Sequence, residues 1–186
     1  GATERVACDT VVFTADWIPD HELAVLAGAA LDPGTRGPRV TPGLHTGVHG
    51  LFATGNLLHG AETADVAALT GAHVAGAVTA HLDGAAWPTP VPITVTEPLR
   101  SITPNALTPG PPARDRFLLR AAEELRHARI RITQDGRTLH EQHVRRLSPG
   151  ISAKVAAGWA SSVDSAGGPV VVQVTRARYR NALPKR

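Results

Sequence analysis

The spacing of apolar and polar positions changes period twice along the chain. Val6 to Ala15, "VACDTVVFTA", has a β-branched centre between polar ends and predicts a buried strand. "DWIPDHEL" then turns the chain, because the residue before a proline is pushed away from the helical region, and His21 to Ala27 predicts one short helix. "LDPGTRGPRVTPG" reads as turns around an excursion with Val40 as its apolar centre. "HGLFATG" predicts a second strand, short and apolar as expected of a parallel strand covered on both faces. From Ala61 to Leu82 proline is absent, and Val66, Leu69, His73, Ala77 and Ala80 recur at spacings of three and four, the stripe of a helix. Gly71, Ala72, Ala75 and Gly76 keep another side thin, so the helix can lie close to a sheet or a flat ligand.

Prolines punctuate Asp83 to Pro112, which reads as a linker containing one extended segment, Ile93 to Leu99. Beyond it the period becomes two. "RFLLRA", "HARIRITQ", "RTLHEQHVRRL", "SAKVAAGW" and "PVVVQVTRA" predict strands, and "QDGR" between the second and third is an Asp-Gly hairpin signal. The expected organisation is an α/β segment (1–82), a proline-rich linker (83–112) and a small, basic antiparallel β domain (113–186).

Charge sharpens this division. Residues 1–112 hold 4 basic and 10 acidic side chains, net -6, and residues 113–186 hold 15 and 6, net +9. A solvated arginine face on the β domain accounts for the basic half, with a phosphate-rich or acidic partner as the alternative. Nucleic acid is not expected: only Phe117, Trp159 and Tyr179 fall in that half, too few for a stacking platform. At 186 residues and 42% apolar, the chain can form a real core. No apolar run approaches the roughly 20 residues that span a bilayer, and no signal peptide is evident, so the cytoplasm is the expected compartment. Cys8 is the only cysteine, which excludes an intrachain disulfide, a Cys-x-x-Cys pair or a multi-cysteine zinc site. Redox chemistry would have to come from a bound cofactor. The chain has no methionine and begins at Gly1, and is read as a fragment of a longer protein.

Candidate chemistry centres on "LFATGNLLHGAETAD". A strand, a glycine turn and a helix start place backbone N–H groups and the positive end of a helix dipole toward an anion or a polarised ring edge. Gly55 lets a ligand approach the backbone, and Asn56 offers an amide to a ribose or ribityl hydroxyl. His59, Glu62 and Asp65 stand at three-residue spacing, but carboxylates in a first helical turn are already favoured by the dipole, and no metal is assigned. His45, His49, His73, His81, His127, His140 and His143 form no ligand spacing, and Ser161, Ser162 and Ser165 lie in no nucleophile elbow. Arg176, Arg178 and Arg180 would share one face of an extended C-terminus and are read as solvated.

Residues 5 to 82 resemble the C-terminal part of FAD/NAD(P)-dependent oxidoreductases of the pyridine nucleotide-disulfide oxidoreductase type. Asp9, Val11, Val12, Thr14 and Pro19 of "DTVVFTADWIPD" stand where that family has its Asp-x-hydrophobic strand and Ala/Thr-x-Gly-x-x-Pro-Asn crossover, with Asp16 and Asp20 replacing the glycine and asparagine. About 40 residues on, Ala53, Thr54, Gly55 and Asn56 match the family's Ala-x-Gly-Asp, with Asn for Asp.

The resemblance implies a Rossmann-like flavoprotein of two interleaved dinucleotide-binding domains, followed here by the β domain. It implies FAD and NAD(P)H as cofactors, with Gly55 and Asn56 at the ribityl chain and Glu62, Thr63, Ala64 and Asp65 at the pyrimidine edge of the flavin. No Gly-x-Gly-x-x-Gly occurs, so a missing N-terminal portion, in cis or in trans, would hold the pyrophosphates. Electrons would pass from NAD(P)H through flavin to a small-molecule or protein acceptor; no catalytic residue is assigned. The alternative is a non-catalytic subunit or remnant docking on a partner flavoprotein.

Overall fold

The computed structural model describes residues 3–10, 18–60 and 63–176. Its elements are α1 (Glu22–Leu26), α2 (Ala64–Leu82), β1 (Val91–Val95), β2 (Leu99–Thr103), β3 (Ala106–Leu107), β4 (Arg116–Ala121), β5 (Leu125–Gln134), β6 (Arg137–Leu147), β7 (Ala153–Ala156) and β8 (Val170–Arg176). The result is a mixed α/β fold with two sheets. One has the order β3-β1-β8-β5-β6 and the other β2-β4-β7. Among these strands only β1 and β8 pair in parallel. No helix among the described residues is long and apolar enough to cross a membrane.

The period-two reading of the C-terminal half is matched over β4, β5, β6 and β8, whereas "SAKVAAGW" is a strand only over Ala153–Ala156 and runs into a 3-10 helix at Gly158–Ser162. Asp135 and Gly136 have φ of 48° and 79°, the left-handed pair that a two-residue hairpin between right-twisted strands requires, and they join β5 to β6. Alternation puts Phe117, Leu119 and Ala121 of β4 and Ala128, Ile130 and Ile132 of β5 into one core with Val155, Val170 and Val172. Phe117 stacks on Trp159 there at 4.9 Å between ring centroids.

The expected linker is built differently. Residues 91–107 supply β1, β2 and β3, which complete both sheets, and Val91, Ile93, Leu99, Ile102 and Leu107 belong to the same core. The prolines punctuate short strands: Pro92 is exposed between buried Val91 and Ile93, and Pro98 directly precedes buried Leu99.

The first 60 residues differ more from expectation. Of the predicted strand Val6 to Ala15, residues 6–10 are exposed and form no strand, while 11–15 lie outside the described residues. "HGLFATG" is not a parallel strand: Phe52 makes an isolated antiparallel bridge with His45, closed by Thr46 N–H to Leu51 O (3.0 Å) and Ala53 N–H to Leu44 O (3.1 Å). The nearby turns, with Leu44 N–H donating to Thr41 O and Leu51 N–H to Val48 O, fold this segment on itself before a longer strand can form. Val40, the expected apolar centre, is indeed buried, with Leu44, Ala53 and Leu58, in a second small core. The short helix appears as α1 and the long one as α2. Of the α2 stripe, Val66, His73 and Ala77 are half-buried, whereas Leu69 and Ala80 are exposed, as are Ala72, Ala75 and Gly76. No residue of α2 is fully buried.

The small core is fastened to the sheets through the backbone of one residue. Val40 N–H donates to Asn105 Oδ1 (2.7 Å), and the Val40 carbonyl accepts from Asn105 and Ala106 N–H (3.2 Å each). Asn105 is buried, and its own carbonyl accepts from Ile93 N–H (2.9 Å). A few residues away, a Cβ on Gly34 would collide with the Arg100 carbonyl, so this approach also needs glycine. Asn105→Ala strips the acceptor from a buried N–H and is expected to lower the unfolding free energy by about 1–3 kcal/mol, measured by chemical denaturation.

Candidate functional site

Gly55 has φ of +70°, opens a 3-10 turn (Gly55–Leu57) and has open space where a Cβ would stand. Its N–H donates to Thr70 Oγ1 (3.0 Å), and the Thr70 hydroxyl donates to the Ala67 carbonyl (2.8 Å). The glycine turn and the first turns of α2 are therefore one hydrogen-bonded unit. Asn56 at its tip is exposed, and the Thr54 hydroxyl oxygen is buried without a partner.

At the start of α2, Thr63, Ala64 and Asp65 are exposed, and Glu62 lies outside the described residues. The Asp65 carboxyl is held below its ordinary 3.8, first by the Thr63 hydroxyl, then by backbone N–H groups of Asp65 and Val66 and the Arg114 charge, against an opposing contribution from desolvation. Asp65 stands in the first turn of α2, where the helix dipole favours a carboxylate.

Thr63 and Asp65 also line a cleft of about 390 Å³ between the α2 N-terminus and the outer face of the three-stranded sheet. Gly55, Asn56 and Ala64 do not line it, so the structure brings only part of the expected set together. Opposite stand residues that the sequence reading did not single out. Arg116, Leu118 and Arg120 alternate with the core residues of β4 and face the cleft. Lys154 pairs with Leu118 across to β7, midway between the two arginines, and buried Thr103 pairs with Leu118 on the other side. Arg114 completes the rim from a loop in which it and Asp115 have φ of 60° and 51°. Two successive non-glycine residues in the left-handed region cost roughly 1–2 kcal/mol each, a strain the surrounding contacts must hold. The "RFLLR" alternation already placed Arg116 and Arg120 on one face; the partners across the cleft depend on tertiary packing.

Three of the seven histidines without ligand spacing converge elsewhere. His45 lies 4.9 Å from the Phe52 ring and 4.8 Å from Trp87, and His49 and His81 complete the ring cluster. Among the described residues no group of three or more His, Cys, Asp or Glu could hold a metal ion.

No family model, curated protein or solved structure matches the chain.

Burial, and then the charge of His81, hold the His45 imidazole below its ordinary 6.5. The unfolded chain takes up this proton near the ordinary value and the folded chain only at lower pH, so His45 favours folding above 6.5 and withdraws that support as pH falls through the depressed value. The thermal midpoint is expected to drop between about pH 7 and pH 5, and His45→Gln to flatten that drop, as read by tryptophan fluorescence.

Proposed function

We propose that this chain supplies the ribityl and pyrimidine side of the FAD site in a flavin-dependent NAD(P)H oxidoreductase. The observation that carries the reading is the coupling of Gly55 to Thr70. A positive-φ glycine and an exposed asparagine are tied by a hydrogen bond to the N-terminal turns of a 19-residue helix, in the order the family motif requires.

The ribityl side fits such a cofactor. Asn56 can donate to or accept from a hydroxyl, and the partnerless Thr54 oxygen lies beside it in sequence. Asparagine in place of aspartate forgoes a charge-assisted bond, which is roughly twice as strong as a neutral one. The helix side fits only if a ligand acceptor exchanges with the Asp65 carboxylate, which already holds the N–H groups of Asp65 and Val66. Before residue 91, the pairings of the described segments outside helices and turns are three isolated antiparallel bridges. In this reading further sheet partners belong to the portion that carries the glycine-rich motifs. Bound FAD would supply hydride and electron transfer between a nicotinamide and an acceptor. The residues of this chain would orient it.

A second reading, a module docking on a partner flavoprotein, is favoured by the exposure of Leu23 and Leu26 on α1 and Leu82 on α2, at 82%, 78% and 78%. Expression with an N-terminal portion bearing the glycine-rich motifs, in cis or in trans, is expected to give a yellow, FAD-loaded protein whose flavin affinity falls in Asn56→Ala. A folded, colourless product overturns the first reading. Recovery of the flavin on a separate companion subunit that carries those motifs selects the second.

A further inference from the structure

The basic residues of the C-terminal half fall into two populations. On the long hairpin four of the six are paired: Arg131 and Arg129 with Glu141 (2.6 and 3.5 Å), and Arg126 and Arg146 with Glu124 (2.8 and 2.7 Å). Around the cleft, three are not. Among the described residues, Arg114, Arg116 and Lys154 have no carboxylate within ion-pair distance; the Arg116 Nε–H donates to the Arg114 carbonyl (3.2 Å). Asp65 is the only described acidic residue lining the cleft, against Arg114, Arg116, Arg120 and Lys154.

Arg114, Arg116 and Lys154 on one concave surface repel one another, and walls of low dielectric strengthen that repulsion. A fold that gathers them there is stabilised by an anion that spans them. The floor between them is apolar, with Leu118 at its centre and Ile151 at its edge, which disfavours a bare hydrated ion.

We propose that this cleft binds a small organic anion, its phosphate or carboxylate head held by Arg114, Arg116 and Lys154 and its apolar body lying on Leu118 and Ile151. That this ligand is the substrate of the oxidoreductase rests on the flavin reading above; the binding itself does not. Arginine offers a planar fork to either head group, and Lys154 adds a point charge from the neighbouring strand.

Calorimetric titration of the full chain at low salt with phenyl phosphate, benzoate and phenol tests this. One of the two anions is expected to bind and raise the thermal midpoint, phenol is not, and the tighter anion identifies the head group. Lys154→Gln, at an exposed position, and Arg116→Gln are each expected to weaken binding about tenfold. Arg145→Gln, exposed on β6, is expected to leave it unchanged. If neither anion binds, or if Arg145→Gln weakens binding as much as Lys154→Gln, the proposal is overturned, the latter outcome meaning attraction to basic surface in general. The titration uses no flavin, so its failure leaves the Asn56 assignment standing, and a colourless co-expressed protein leaves this binding standing.

Discussion

The two-way exchange between Val40 and Asn105 ties the small core around Val40 to the two sheets. The segment carrying Val40 has no sheet of its own, so its buried N–H and carbonyl groups must find partners elsewhere, and they find them on the connection between β2 and β3. Leu44, Ala53 and Leu58 gather around Val40. His73 then ties α2 to the Pro42 carbonyl (2.8 Å), and Thr70 ties it to Gly55. With no fully buried side chain, α2 is placed by these few polar contacts more than by packing. The position of its N-terminus over β4 therefore follows from the clasp at Asn105.

The charge asymmetry of the sequence acquires a structural meaning through this placement. The paired hairpin arginines are exposed, contribute little to stability, and serve mainly to keep a long edge strand soluble. The cleft residues sit where the acidic half of the chain folds against the basic half, yet only Asp65 among the described acidic residues reaches them. The same net charge therefore performs two different tasks, one on the surface of the hairpin and one in a concavity.

Legibility in the sequence followed the range of the interactions. β4, β5, β6 and β8 and the Asp135-Gly136 turn rest on local alternation and turn chemistry, which a single sequence displays directly. The helices were legible for the same reason. The segment 91–107 was obscured because its prolines resemble a linker, whereas its sheet partners lie far along the chain: β1 pairs with β8 some 75 residues later. "HGLFATG" misled because a short apolar run does not reveal whether its partner is a distant parallel strand or, as with His45 and Phe52, a residue seven positions away. The candidate site shows the same split. Gly55, Thr63 and Asp65 were visible from a motif, but Lys154 and Arg114 come to Asp65 only through the packing of α2 on the sheet.

Asp65 is the point at which the flavin and anion readings meet. Its carboxylate occupies the helix N–H groups that a flavin edge would need, and it feels the Arg114 charge that a bound anion would draw on. A carboxylate favoured by the dipole of its own helix becomes a competitor when a ligand arrives at either side. An anion in the cleft would take Arg114 away from Asp65 and leave it more easily exchanged, whereas a flavin that displaced Asp65 would push a negative charge toward the basic rim. Occupation of one side thus alters the electrostatic cost of occupying the other. By linkage any such coupling acts equally in both directions.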